Sequence, residues 1–281
     1  MKFIEDLFEE KNIKVKSINR LNGGDINDVY KVSSTEVDYV IKVNSAMNFP
    51  DMFEKEAMSL EILKNTNSFI VPEVIAYGSL NNDTYLILEY VPSTQNHNFE
   101  QNFAESLASL HQTNSEYHGL EFDNYIGKLD QINISKTKSG LDFYINSRLE
   151  PMFKLAKQKG FDFENIDSLY KSAEELIPKE KASLIHGDLW SGNYHITNAS
   201  QACIYDPAIC FASREMDLAM MKLFGGFPNA IFDIYREILP LENGWKDRIE
   251  LWQLYYILVH VNLFGGSYFN SAKNIISKYT A

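Results

Sequence analysis

With 281 residues, 45% of them apolar, the chain is long enough to bury a full core as one large or two modest domains. Its 38 acidic against 26 basic residues give a formal net charge of −12, which argues against nucleic acid or an anionic membrane as partner. Any phosphate ligand must therefore be met by a locally placed cation or metal.

The opening MKFIEDLFEE carries acidic residues where a targeting segment needs a basic region and an apolar core. It reads instead as a short amphipathic helix within residues 1 to 14, with Phe3, Leu7 and Phe8 on one face. From Lys14 the texture turns to β: VKSINRL, VYKVSS and VDYVIKVN are separated by turn residues, as in a meander of hairpins. Between two of these runs, Gly23 and Gly24 fit either a plain hairpin turn or a loop whose backbone N–H groups approach an anion. In DYVIKVN, alternation puts Tyr39, Ile41 and Val43 on one face and Val40 with Lys42 on the other.

PDMFEKEAMSLEILKN reads as a helix on which Glu56 shares a face with Met52, Leu60 and Leu63. A carboxylate on an apolar face needs a cation, and Lys42 is the expected partner. Two further strands follow, the second of which, TYLILEYV, ends in the edge Leu88, Glu89, Tyr90, Val91. A near-continuous apolar strand of this kind is buried, and its terminal backbone can bond a planar base or merely connect elements. At Pro92 the texture becomes polar and then helical, which divides the chain into a sheet-rich lobe, 1–91, and a mainly helical lobe, 92–281. The fold class is α+β.

In the second lobe FEQNFAESLASLHQ is a helix. EYHGLEFDNYIGKLDQINISKTKSG is a long connection of the kind that is functional or mobile, and LDFYINSRLEPMFKLAKQKG a helix with a kink or break at Pro151. Arg148 within it is either a surface cation or a ligand contact. A helix at 164–178 precedes LIHGDLWSGNYHIT and ACIYDPA, a strand-turn-strand presenting Asp188, Asn193 and Asp206. REMDLAMMKLFGGFP, IFDIYREILP and DRIELWQLYYILVHVNLFGGSYF are helical in period, with LFGG at two helix ends. The longest apolar stretch, from Trp252, is interrupted by Gln253, His260 and Asn262 and cannot span a bilayer. Cys203 and Cys210 are expected to be packed thiols of a cytoplasmic protein.

Phosphoryl transfer calls for a base at the acceptor hydroxyl, Mg²⁺ on the phosphates and a lysine beside them. His186, Asp188 and Asn193 stand at the H-x-D-x-x-x-x-N spacing of a kinase catalytic loop, in which the aspartate takes the proton and the asparagine a metal. Asp206, on the returning strand, suits the second metal ligand. His186 is expected to brace the loop by hydrogen bonds. Asp217 either receives backbone N–H groups from the loop or caps its own helix.

HGDLWSGN, YDPA, REMDLAMMKLFGGFP, NLFGGSY and DNYIGKLDQIN together resemble the fructosamine kinase (ketosamine 3-kinase) family, over nearly the whole chain. The resemblance implies a bilobal protein-kinase-like fold related to aminoglycoside and choline phosphotransferases. It implies ATP and Mg²⁺ as cofactors and, as acceptor, a ketoamine, free or protein-bound, phosphorylated on the sugar O3. It further implies Asp188 as base, Asn193 and Asp206 on Mg²⁺, Lys42 on the α- and β-phosphates steadied by Glu56, and Gly23-Gly24 over them. Leu88 to Val91 would be the adenine hinge. Trp190 and Arg148 are separate candidates for the acceptor pocket. Departures lie at Tyr194 and His195, at Asp130, and at Phe211 to Ser213, with no cysteine in the Gly23-Gly24 turn. Another hydroxylated amine as acceptor, or a catalytically silent pseudokinase, are the alternatives.

Overall fold

A computed structural model describes residues 2–21, 27–94 and 98–280. The chain begins with α1 (Lys2–Glu10), which buries Ile4, Leu7 and Phe8 against Val32, Ile41 and Ile87 of the sheet. That sheet comprises β1 (Val15–Arg20), β2 (Asp28–Ser34), β3 (Asp38–Ser45), β4 (Val74–Leu80) and β5 (Asp83–Glu89), antiparallel in the order β1-β2-β3-β5-β4. Side-chain alternation sends Ile41 under α1 and Lys42 to the opposite face, where it pairs in register with Val29 and Leu86. Helix α2 (Met52–Asn65) covers this second face, and its Phe53, Ala57, Leu60 and Leu63 join Leu86 and Leu88 in one apolar cluster.

After β5 come α3 (Glu100–His111), β6 (Asn114–Ser115) and the hairpin of β7 (Asn124–Ile126) with β8 (Leu129–Gln131). The long polar connection of the sequence is thus built on short strands. Helix α4 (Gly140–Tyr144) passes through a π-helical turn (Ile145–Leu149) into α5 (Glu150–Gln158). The expected irregularity at Pro151 takes the form of this π turn: the helical run continues through it, and the wider turn just before the proline accommodates a residue that has no N–H to give to the preceding turn.

The remaining elements are α6 (Ile166–Leu176), β9 (Ala182–Ile185), β10 (Tyr194–Ile196), β11 (Ala202–Ile204), β12 (Cys210–Ala212), α7 (Glu215–Leu223), α8 (Asn229–Ile238), α9 (Trp245–Phe264) and α10 (Ser267–Thr280). Strands β10 and β11 form the anticipated hairpin, with Tyr194 opposite Ile204, while β9 lies between β12 and β6. Helix α10 was not anticipated separately from α9. The two are divided at Gly265, whose φ of 63° ends the longer helix. Among the described residues no helix is long and apolar enough to cross a membrane. Cys203 and Cys210 are buried free thiols, and burial pushes Cys203 up to about 12.

Candidate active site

The loop between β9 and β10 carries His186, Asp188 and Asn193 and is held from below by one carboxylate. Asp217, fully buried in the first turn of α7, accepts the backbone N–H groups of His186 and Gly187 through its two oxygens, both at 2.8 Å. It caps no N–H of its own helix; of the two roles open to it, the structure shows the loop contact. His111, at the end of α3, donates from Nε2 to Asp217 at 3.2 Å while its Nδ1 meets the Tyr235 hydroxyl at 2.8 Å. His186 has its Nδ1 3.3 Å from the Asp188 N–H and its Nε2 3.1 Å from the Tyr205 carbonyl, an arrangement that defines the Nε2–H tautomer. Burial holds its pKa below the usual histidine value, so it is a neutral brace.

The loop's path depends on a close approach. A Cβ on Gly187 (φ +80°) would lie 2.0 Å from the Ala208 carbonyl oxygen, so only glycine lets the HGD and DPA segments touch there. Asp206, at the turn after β11, itself adopts a left-handed φ of 58°, a conformation that aspartate tolerates better than most residues and that recurs at functional sites. Side chains of Asn124 and Gln131 from the β7–β8 hairpin clamp the Ile209 and Ala208 carbonyls, each at 3.0 Å. These two supports, and His111, were not singled out from the sequence. Their signal was present in DNYIGKLDQIN and in a histidine on the buried stripe of α3.

Lys42 projects from β3 between two carboxylates, with Glu56 Oε1 of α2 at 2.5 Å and Asp206 Oδ1 as a second ion-pair partner. Burial works against its charge, but Asp206 and Glu56 outweigh it and raise its pKa. Asn193 donates its amide to the Asp188 backbone oxygen at 2.8 Å and to Asp188 Oδ2 at 3.1 Å, which leaves its own amide oxygen as an acceptor. Burial first, and then the Asp206 carboxylate, push Asp188 up to about 7, against the opposing Asn193 bond. Lys42, Glu56, Asp188, Asn193 and Asp206 line one cleft of ≈ 210 Å³.

An adjoining cavity of ≈ 310 Å³ runs from Lys42 to the backbone of Leu88, Glu89, Tyr90 and Val91. Within that edge the N–H groups of Glu89 and Tyr90 are taken by Glu73 and Asp38, whereas among the described residues the Val91 N–H meets no backbone acceptor. His195 lies in the same cavity. Gly23 and Gly24 lie outside the described residues. Trp190 borders the cleft and is 36% exposed. A Cβ on Gly192 would come within 2.2 Å of its indole, so the glycine makes room for the ring.

Arg148 is a correction. It is neither a surface cation nor a lining residue, being fully buried with its guanidinium on the Ile132 carbonyl and Asn133 Oδ1, both at 2.6 Å, and stacked 4.5 Å from the Phe143 ring centroid. An arginine whose two terminal nitrogens bond backbone and amide oxygens beneath an aromatic ring secures the β8–α4 connection and, being fully buried, does not line the cleft.

The donor set suits Mg²⁺: a carboxylate and an amide oxygen are the few hard ligands that this ion takes from a protein when phosphates and water fill its other positions. Among the described residues no trio of His, Cys, Asp or Glu forms a complete metal cage. Asp206 and Asn193 are thus the residues that would hold it.

Because Asp217 alone satisfies two loop N–H groups and His111, Asp217→Ala is expected to destabilise the fold by about 3 kcal/mol or more. Urea unfolding measures this. Asp217→Asn, which keeps an acceptor for one N–H, is expected to lose less.

A five-stranded antiparallel sheet over a helical body, with a lysine from the third strand facing an H-G-D loop, defines a phosphotransferase of the protein-kinase-like fold. A solved thermostable mutant of the aminoglycoside phosphotransferase APH(4)-Ia shares that fold at a TM-score of 0.65 and 18% identity, with 98% of each chain covered. The fructosamine kinase family model matches residues 2–281, and the chain belongs to that family. A probable ketoamine kinase of Vibrio parahaemolyticus is 37% identical over 92% of this chain and 91% of its own length. A solved structure from Haemophilus somnus, described as a putative fructosamine-3-kinase, superposes with a TM-score of 0.89 at 29% identity, covering 99% and 96% of the two chains.

Proposed function

We propose that the protein is an ATP- and Mg²⁺-dependent kinase that phosphorylates the sugar O3 of a ketoamine, a fructosamine or ribulosamine formed by glycation of an amine. The observation that carries this reading is the convergence of Lys42, Asp206, Asn193 and Asp188 in one cleft, from two distant parts of the chain. ATP lies with its adenine on the Leu88–Val91 edge, where the Val91 N–H is the donor available, and with its phosphates at Lys42. Glu56 keeps that ammonium charged and directed. Asn193 and Asp206 would hold Mg²⁺, which would supply charge neutralisation for the phosphates.

Asp188 accepts the proton of the acceptor hydroxyl, and its raised pKa suits a base working near neutrality. Asn193 orients it through the bond to Oδ2. His186 and Asp217 act through the loop that they brace, and Trp190 walls the acceptor side. The expected setting is cytoplasmic, and the acceptor is either a free glycated amine or a glycated protein side chain.

The test is ATP consumption with ketoamines of fructose and ribulose set beside aminoglycosides and choline. Turnover confined to the ketoamines is expected. Inert ketoamines together with an active aminoglycoside or choline would overturn the acceptor assignment, and binding of ATP with no turnover of any acceptor would favour a pseudokinase.

A further inference from the structure

The cleft at Asp188 opens into a second cavity of ≈ 500 Å³, with which it shares Gly127, Asp188 and Trp190. Its walls are aromatic: Trp190, Phe224, Tyr256, His260, Phe264 and Tyr268 from the loop, the end of α7, α9 and the start of α10. His260 is a polar feature inside, beside the Tyr256 hydroxyl, which is buried and has no hydrogen-bond partner among the described residues. Its ring centroid lies 5.0 Å from that of Phe224, 5.7 Å from Phe264 and 4.9 Å from Tyr268, so neighbouring rings fix its orientation. Its Nδ1 is 2.7 Å from the Tyr256 carbonyl. A carbonyl only accepts, so Nδ1 carries the hydrogen and Nε2 the lone pair. Burial holds the ring's pKa below the usual histidine value, in keeping with that neutral tautomer.

Two charged groups line this cavity, Asp188 at its junction with the cleft and Lys128 at its rim. Lys128 occupies the turn between β7 and β8, is exposed, and among the described residues has no carboxylate partner, although the chain as a whole is strongly acidic. A polycationic acceptor would meet one carboxylate, already committed to the reacting hydroxyl, and a repelling lysine. An acceptor with one ammonium and one anionic group fits both: aromatic faces and a ring lone pair attract the ammonium, and a lysine without a counter-ion attracts the anion.

We propose that this cavity is the subsite for the amine half of a free glycated amino acid, with the ammonium among the aromatic rings at His260 Nε2 and the carboxylate at Lys128. The inference deepens the ketoamine-kinase reading and rests on it. A ketoamine on a protein side chain presents amide groups where the free amino acid has its carboxylate, and so leaves Lys128 unused. The acceptor class it selects is the low-molecular-weight, carboxylate-bearing ketoamine.

The test uses two matched pairs of ribulose adducts that differ only in the carboxylate: those of glycine and methylamine, and those of 6-aminohexanoate and hexylamine. For at least one pair the carboxylated acceptor is expected to have a kcat/KM about tenfold higher, carried by KM, the size of one charge-assisted hydrogen bond. In Lys128→Met, which keeps the aliphatic stem, that preference falls to near one. In His260→Phe, which keeps the ring packing, KM rises for both members of each pair while the KM of ATP is unmoved. No preference in the native protein, a preference that survives Lys128→Met, or a loss in His260→Phe that extends equally to ATP would overturn the assignment. Inert adducts throughout would overturn the ketoamine assignment on which this subsite rests, and the subsite with it.

Discussion

Asp188→Asn is expected to lower turnover by about 10²- to 10⁴-fold, the range for a positioned general base, while ATP binding is largely kept. The same change is expected to make the ligand-free protein more stable at alkaline pH. Asp188 is pushed up to about 7 by burial and by Asp206, so the folded state prefers its neutral form. The unfolded chain binds fewer protons in the window from about 4 to 7, and stability falls as pH rises through that window. An asparagine cannot ionise and does not suffer this loss. Thermal melts of the two proteins should therefore converge near pH 4 and diverge up to pH 7, above which the gap stays constant. A rise in the melting temperature with a collapse in rate identifies a group held in place for chemistry at the expense of stability. Unchanged turnover would remove Asp188 from the role of base, and parallel melting curves would remove the buried-charge argument.

Lys42→Met is the second large effect, and it separates chemistry from folding. Turnover is expected to fall by about 10²- to 10³-fold, as for loss of one preorganised electrostatic contact, with a rise in the KM of ATP. Stability should fall by about 3–5 kcal/mol, because Glu56, whose side chain is 11% exposed, would be left as a buried charge without a partner. Asp206 is 45% exposed at its side chain and contributes less to that cost. In the double variant Lys42→Met, Glu56→Leu the unpaired charge is gone, and chemical denaturation should show most of the lost stability restored. The rate should stay low. Recovery of the rate in the double variant would show that Lys42 serves only to neutralise Glu56.

Much of the site was legible because its pieces are local. Asp188 and Asn193 are five residues apart on one loop, and their contact at 3.1 Å follows from a tight turn between β9 and β10. The ion pair of Lys42 with Glu56 was legible for a different reason. Alternation places the lysine off the apolar face of its strand, helical period places the glutamate on the apolar face of the next helix, and a carboxylate in that position needs a cation. Both inferences used a period and a cost, neither of which needs knowledge of the rest of the fold.

Arg148 shows where such reasoning stops. An arginine on a helix next to a proline reads as exposed or as a ligand contact, yet its hydrogen-bond partners arrive from Ile132 and Asn133 on the preceding connection, and its burial depends on Phe143 and Tyr255. His111 is a similar case: it acts on Asp217 from 106 residues away, and no spacing rule encodes that distance.

By itself, then, the sequence determined the longer elements apart from α10, the apolar faces, the catalytic-loop motif and the need for a cation beside Glu56, since turn chemistry, side-chain period and desolvation cost operate over a few residues. Tertiary structure alone decided that Asp217 and His111 support the loop, that the β7–β8 hairpin clamps the Asp206 turn, and that one end of the apolar α9 lines a cavity. Helix α9 is apolar around most of its circumference, so its sequence gives no sign of which face meets the core and which meets a ligand. That choice is made by α7, α10 and the Trp190 loop, which leave His260 and Phe264 at an opening beside Asp188.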